Sequence, residues 1–193
     1  FGKSDNNTAI DLSDVADGTG GFVINGENAN DYSGYSVSSA GDVNGDGIAD
    51  LIIGATGADP NGESSAGSSY VVFGKSDNNT AIDLSDVADG IGGFAIHGEN
   101  DFANCGRSVS SAGDINGDGI TDLIIGAQGG NTNGSYSGST YVVFGKSDDT
   151  TAIDVSDITN GIGGFAIHGA TSGDYSGYSV SSAGDVNGDG IAD

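Results

Sequence analysis

Apolar residues in this chain come in short runs, each closed off by clusters of Gly, Asn, Asp and Ser, and the pattern predicts strands joined by tight turns. Residues 35–40 alternate between apolar and small polar side chains, as a half-covered strand does. The run Leu51-Ile52-Ile53-Gly54-Ala55 is apolar on both faces and reads as an interior strand. Residues 70–73 (Tyr-Val-Val-Phe) and 94–97 (Phe-Ala-Ile-His) predict two more strands. The stretch 81–87 fits either a helical turn or a fifth short extended piece.

This pattern repeats. Residues 1–18 recur unchanged at 73–90, and residues 34–50 recur unchanged at 177–193, with a close copy at 106–122. The offset is 72 between the first two copies and 71 between the next two, and the missing residue falls in the loop after Gly54-Ala55 or Gly126-Ala127. The chain therefore divides into a repeat over 1–72, a second over 73–143 and a partial third over 144–193, and we expect 1–193 to be a window on a longer tandem array. A four-stranded unit of this length has the size of one propeller blade, longer than the ~40–45 residues of a WD40 blade. Both faces of such a sheet need neighbours, so one unit is not expected to be stable alone. The predicted class is all-β, with tandem four-stranded antiparallel blades of β-propeller type.

Charge changes the picture next. The chain carries 28 acidic residues against four basic ones, a formal net charge of −24. Nucleic acid and anionic membrane surfaces are excluded as partners, because phosphate contacts need Lys and Arg. The natural partner of so many carboxylates is a hard cation. Cys105 is the one cysteine, so no disulfide forms within the chain. No run is long and apolar enough to span a bilayer as a helix. With Phe1 in place of an initiator Met and no signal peptide, the sequence reads as a processed or excerpted piece.

The cation has an address. In Asp42-Val43-Asn44-Gly45-Asp46-Gly47-Ile48-Ala49-Asp50, oxygen donors stand at positions 1, 3, 5 and 9, and position 7 offers the carbonyl of Ile48. This matches the first nine positions of an EF-hand loop, including the Gly at position 6 that allows the sharp turn. The bidentate Glu of position 12 is missing; Ile53 is there, inside a strand. The loop is thus EF-hand-like chemistry set in a β-hairpin. Its copies are Asp114, Asn116, Asp118, Ile120 (carbonyl) and Asp122, and Asp185, Asn187, Asp189, Ile191 (carbonyl) and Asp193. Three carboxylates converging without a cation repel by about 1 kcal/mol or more per pair, so binding is expected to be coupled to folding of the hairpin. Asn-Gly and Asp-Gly also make ordinary hairpin turns, but three copies with every ligand position intact favour a metal. Ca²⁺ suits this flexible all-oxygen set better than Mg²⁺, which keeps a small octahedral shell with several waters.

These residues resemble the FG-GAP repeats of integrin α-subunit β-propellers and their bacterial secreted relatives. The Phe-Gly pairs are Phe1-Gly2, Phe73-Gly74 and Phe144-Gly145; the Gly-Ala pairs are Gly54-Ala55 and Gly126-Ala127, with Thr56 and Gln128 where the family has Pro. The resemblance implies a propeller with calcium at hairpin loops, on the cell surface or secreted, in adhesion or scaffolding. Near-identity between repeats departs from the family's usual divergence and suits a long array or a polymer.

Other residues carry less. His97 and His168 occupy equivalent strand positions where the first repeat has Asn25, and read as ordinary strand residues. Cys105 replaces Ser33 and Ser176 and reads as a buried, unreactive thiol. Arg107 replaces Tyr35 and Tyr178, as a partner for nearby acids. Asp11, Asp14, Asp83 and Asp86 form a solvated acidic surface. Asn6, Asn78 and Asn133 each begin a glycosylation sequon. The hairpin loops 56–69 and 128–140 are the expected contact surfaces. Catalysis needs a unique set of acid, base and charge stabiliser, whereas nearly every polar residue here recurs in each repeat. The leading expectation is a calcium-binding extracellular structural or adhesive module without catalysis, meeting an extracellular protein or glycan ligand. Two alternatives stay open: a subunit of a self-assembling filament, whose partner is a copy of itself, and the non-catalytic propeller part of a secreted polysaccharide-acting enzyme.

Overall fold

A computed structural model describes residues 9–75, 81–147 and 150–193. The first Phe-Gly pair and the sequons at Asn6 and Asn78 lie outside those residues. Two four-stranded antiparallel sheets form the body. The first runs β2 (Ser33–Gly41), β3 (Asp50–Ala55), β4 (Ser68–Val72) and β6 (Gly93–His97). The second repeats it as β7 (Cys105–Gly113), β8 (Asp122–Ala127), β9 (Ser139–Val143) and β11 (Gly164–His168). All four predicted strands are present in both repeats; each starts one or two residues earlier than predicted, the first ends one residue later, and the third ends at Val72, before Phe73. Register is the same in each sheet: Val37 pairs with Ile53 and Ile53 with Tyr70, just as Val109 pairs with Ile125 and Ile125 with Tyr141.

The ambiguous stretch at 81–87 is both things at once. A two-residue strand, β5 (Ile82–Asp83), runs straight into the helical turn α2 (Leu84–Ala88), and β10 (Ile153–Asp154) into α3 (Val155–Thr159). Their counterpart near the start is α1 (Leu12–Ala16), capped by the Asp11 side chain on the Ser13 amide. β5 pairs in parallel with β1 (Ile24–Asn25) as a two-stranded sheet, and β10 pairs in parallel with β6, so the third repeat adds a fifth strand to the outer edge of the first sheet. α2 and α3 then bury Leu84 and Val87, and Val155 and Ile158, against their own sheets.

The apolar faces decide how the repeats stack. Ile52, Val71, Phe94 and Ile96 of the first sheet pack in one core with Val109, Leu123, Ile125 and Tyr141 of the second. Leu123 and Ile125 are fully buried there, each worth about 1.5–3 kcal/mol. A second core, Ile53, Tyr70, Val72, Leu84 and Val87, lies on the other face of the first sheet. Leu51 and Val37, equivalents of Leu123 and Val109, are exposed, with no sheet over that part of the face among the described residues. Residues 177–193 match 34–50 letter for letter.

Two details set the spacing between sheets. A Cβ on Gly54 would collide with the carbonyl oxygen of Gly106, and one on Gly126 with that of Gly177. Those same carbonyls accept hydrogen bonds from Ser36 Oγ (2.8 Å) and Ser108 Oγ (3.0 Å). The Gly of the Gly-Ala pair is therefore a backbone-to-backbone contact between repeats. Arg107 departs from the sequence expectation. Its guanidinium is stacked between Tyr35 (4.7 Å) and Tyr178 (4.4 Å), the residues at the same position in the flanking repeats, with no carboxylate ion-paired to it among the described residues.

Cys105 is fully buried, and burial pushes its thiol up to about 12, in keeping with an unreactive side chain. The side-chain amide of Asn133 donates to the Gly169 carbonyl at 2.8 Å, a bond that a glycan on that nitrogen would have to break. Asp11, Asp14, Asp83 and Asp86 are exposed, as expected. Among the described residues, no helix is long and apolar enough to cross a membrane.

Candidate metal-binding loops

Each acidic loop closes a hairpin between the first two strands of a repeat: 42–50 links β2 to β3, and 114–122 links β7 to β8. The third, 185–193, ends the partial repeat. All three have one internal geometry. Asp42 Oδ1 accepts the amides of Gly45 (2.8 Å) and Asp46 (3.0 Å), and its Oδ2 accepts that of Gly47 (2.8 Å). Asn44 Oδ1 takes the Asp46 amide, and Asp46 Oδ1 takes that of Ile48. The same bonds recur on Asp114, Asn116 and Asp118, and on Asp185, Asn187 and Asp189. The backbone can wrap the first Asp this way because Gly45 and Gly47 sit at φ of 75° and 86°, the left-handed region that side chains resist. Those amides hold Asp185 below its ordinary carboxylate range.

Position 9 behaves differently. Asp50 and Asp122 are buried, at 1% and 0% exposure. Asp50 Oδ2 accepts the Val43 amide (2.9 Å) and its Oδ1 accepts the Gly74 amide (2.8 Å). Asp122 does the same with Ile115 and Gly145. Position 9 thus ties the loop to the Phe-Gly pair that follows β4 or β9. A Cβ on Gly74 would collide with the Ala49 carbonyl, and the adjoining Phe73 packs edge-on against Phe94 at 6.0 Å. Burial raises the carboxyls of Asp50 and Asp122 above their ordinary value, partly offset by these amides. Sequence reasoning assigned position 9 only as a ligand; the fixed spacing from it to Phe-Gly was the signal that could have revealed the tie.

Replacing Asp50 with Ala is therefore expected to destabilise the protein by about 2 kcal/mol even with all divalent ions chelated, since two buried amides lose their acceptor. Asp42→Ala, in the exposed part of the loop, should cost much less under the same conditions. Urea unfolding in chelator separates the two.

Neighbouring loops also touch. The Thr121 amide of the second loop donates to the Asp42 carbonyl of the first (3.1 Å), and Ala192 of the third donates to Asp114 of the second (3.3 Å). The loops line one rim of the stack, joined backbone to backbone.

Among the described residues, no three His, Cys, Asp and Glu side chains form a ready-made metal cage. A complete donor set in each loop therefore has to include Asn44 and the Ile48 carbonyl, or their equivalents, beside the carboxylates. The chemistry of that set fits a hard cation. Every donor is oxygen, and each carboxylate oxygen already holding an amide keeps acceptor capacity.

Comparison with known proteins matches the two intact repeats. The FG-GAP repeat model covers residues 33–72 and 106–143, both of them sheet plus acidic loop. The phosphatidylinositol-glycan-specific phospholipase D of Dictyostelium discoideum is 34% identical over 139 residues, 67% of this chain and 14% of that protein. The mouse (Mus musculus) phospholipase D of the same name is 33% identical over 114 residues, 58% of this chain and 13% of that protein. Integrin alpha pat-2 of Caenorhabditis elegans is 30% identical over 168 residues, 84% of this chain and 13% of that protein. The chain thus spans about one seventh of these relatives. With four-stranded antiparallel sheets of β-propeller type and these matches, the chain belongs to the FG-GAP repeat family.

Proposed function

We propose that this chain is a calcium-binding propeller module of an extracellular protein, structural or adhesive in role and without catalysis of its own. The observation that carries the reading is the repeated loop: Asp42, Asn44, Asp46, the Ile48 carbonyl and Asp50, with their two sets of equivalents, in one unchanging hydrogen-bonded frame. A bound Ca²⁺ would neutralise the loop's carboxylates and cross-link its turns. The residues of this chain do the rest: Asp50 and Asp122 anchor each loop to the Phe-Gly corner, and the loop-to-loop bonds pass that order along the rim.

The absence of catalysis is supported by the repetition of nearly every polar group and by the scarcity of cations that could stabilise a developing anion. The phospholipase D relatives are matched over 13–14% of their length, which suits a propeller section carried within a larger protein. The exposed parts of the long loops, 59–65 and 131–136, supply the surface for an extracellular protein or glycan ligand, while their ends are buried or run into β4 and β9.

Isothermal titration of the chelator-treated chain with calcium tests the assignment. The expected stoichiometry is one ion per loop, falling by one when Asp118 and Asp114 are both replaced by Ala. No heat of binding, or a stoichiometry unaffected by that double replacement, would overturn it.

A further inference from the structure

The repeats are nearly identical, so a place where they diverge at a cost to the backbone calls for a reason. One such place is where the loop between β8 and β9 meets the segment that follows β11. The acidic loops lead into β3 and β8 and the long loops lead out of them, so this is the opposite rim of the stack. Tyr136 of the loop and Tyr175 of the segment lie ring against ring, with centroids 5.7 Å apart and planes tilted by 31°. Main-chain bonds fix them. The amides of Tyr175 and Ser176 donate to the carbonyls of Tyr136 and Ser137, both at 3.0 Å, and the Asn131 side chain accepts the Tyr136 amide at 2.9 Å. The two tyrosines are still 51% and 47% exposed.

Folding does not require this pair. At the junction of the first two repeats, the same main-chain bonds run from Asn104 and Cys105 to Ser65 and Ala66, with Ser65 and Asn104 where Tyr136 and Tyr175 stand. All four residues are left-handed, with φ between 48° and 55°. Asn tolerates that conformation and bulky side chains resist it. Asn104 also uses its side-chain amide on the Thr56 (3.2 Å) and Ser65 (3.3 Å) carbonyls of the preceding loop. Two tyrosines in strained positions, half uncovered, therefore mark a surface kept for something other than packing. Tyr32, the counterpart of Tyr175 in the first repeat, has the loop of its own repeat alongside it at Gly57 and stays exposed, so that loop does not cover this position.

The surroundings point to the class of ligand. Residues 131–136 and 170–175 contain one carboxylate, Asp174, which is held by the Thr171 amide (2.8 Å) and hydroxyl (3.0 Å). Apart from the tyrosines, the rest of both stretches is Asn, Ser, Thr, Gly and Ala. The matching stretches of the first junction, 60–65 and 99–104, contain three carboxylates, Glu63, Glu99 and Asp101. In a chain of net charge −24, the tyrosine pair is thus a nearly neutral patch of aromatic surface among amides and hydroxyls. A cationic peptide would be drawn more strongly to the first junction. A sugar suits the second: its C–H face packs on an aromatic ring, and its hydroxyls exchange hydrogen bonds with Asn, Ser and Thr side chains.

We propose that Tyr136 and Tyr175 form a binding platform for a neutral glycan. The proposal rests on the adhesive-module reading and, of the two kinds of ligand that reading allows, selects the glycan. Its surface does not involve the acidic loops. Isothermal titration of the protein in calcium with cellohexaose, maltohexaose, mannohexaose and chitohexaose tests it. The expected result is binding of at least one hexaose, weakened by about tenfold or more in Tyr136→Ser/Tyr175→Asn. That variant carries the residues of the first junction, so it is expected to keep its urea midpoint and its calcium stoichiometry. Tyr136→Phe/Tyr175→Phe, which keeps both rings, should retain most of the affinity. Binding of none of the four hexaoses overturns the proposal, as does binding that the Ser/Asn variant retains. A lysine-rich peptide that binds more tightly than every hexaose, and is lost in the Ser/Asn variant, overturns it in favour of a protein ligand. Calorimetric titration with calcium reports the acidic loops separately, so failure of one reading is not mistaken for failure of the other.

Discussion

Removing calcium is expected to lower the melting temperature by roughly 6–12 °C. Extracellular calcium modules bind in the ~10⁻⁴–10⁻³ M range, so at millimolar calcium each occupied loop contributes about 1 kcal/mol through mass action. Three loops together contribute about 3 kcal/mol, and each kcal/mol moves the midpoint by ~2–4 °C for a protein of this size. The frame of the loop makes the coupling direct: the proposed ligands Asp42, Asn44 and Asp46 are also the acceptors for the amides of residues 45–48. The Thr121–Asp42 bond joins the first two loops, so Asp118→Ala in the second should reduce the calcium-dependent shift by more than a third. Differential scanning calorimetry in calcium, in magnesium and in chelator measures this. An unchanged midpoint would sink the metal assignment, and an equal shift in magnesium would reduce it to general charge screening.

Replacing Gly54 with Val should cost about 3 kcal/mol, at the upper end of what overpacking a tight site does. The position has ordinary backbone angles, so the penalty is not conformational. It comes from the Gly106 carbonyl, which occupies the space a Cβ would need and cannot retreat without pulling β7 away from the first sheet. Retreat would also break the Ser36 Oγ bond to that carbonyl and uncover the shared core around Ile52 and Leu123. Gly126→Val should behave alike, because Gly177 stands over it in the same way. Gly47→Ala is the contrast: its Cβ would meet nothing within 4 Å, and only the left-handed φ of 86° resists it, worth about 1–2 kcal/mol. Urea unfolding midpoints give the ranking. A Gly54→Val penalty below that of Gly47→Ala would show that the sheets do not approach this closely in solution.

The sequence by itself determined a good deal of this protein. Its two periodicities, of two residues within strands and of about 72 between repeats, located all four strands of each sheet and both long hairpins. The strand signal was legible because the alternation in β7 and the apolar run in β8 match the faces that stacked sheets bury, and Val109, Leu123 and Ile125 are buried. The turn geometry of the acidic loops was legible too, since it depends only on local spacing and on glycines that permit the turn. What tertiary structure decided lay between repeats. It turned 81–87 into a strand and a helix in succession, because Ile82 finds a partner in Ile24 of the preceding repeat while Leu84 finds its own sheet. It sent Arg107 onto two tyrosines instead of a carboxylate, because the stack places equivalent positions of adjacent repeats face to face. It made Asp50 a buried tie to Gly74 in addition to a loop residue, and made Gly54 a contact point for another backbone. A strand is stabilised by hydrogen bonds to a partner and by a covered face, and neither is a property of the segment that adopts it.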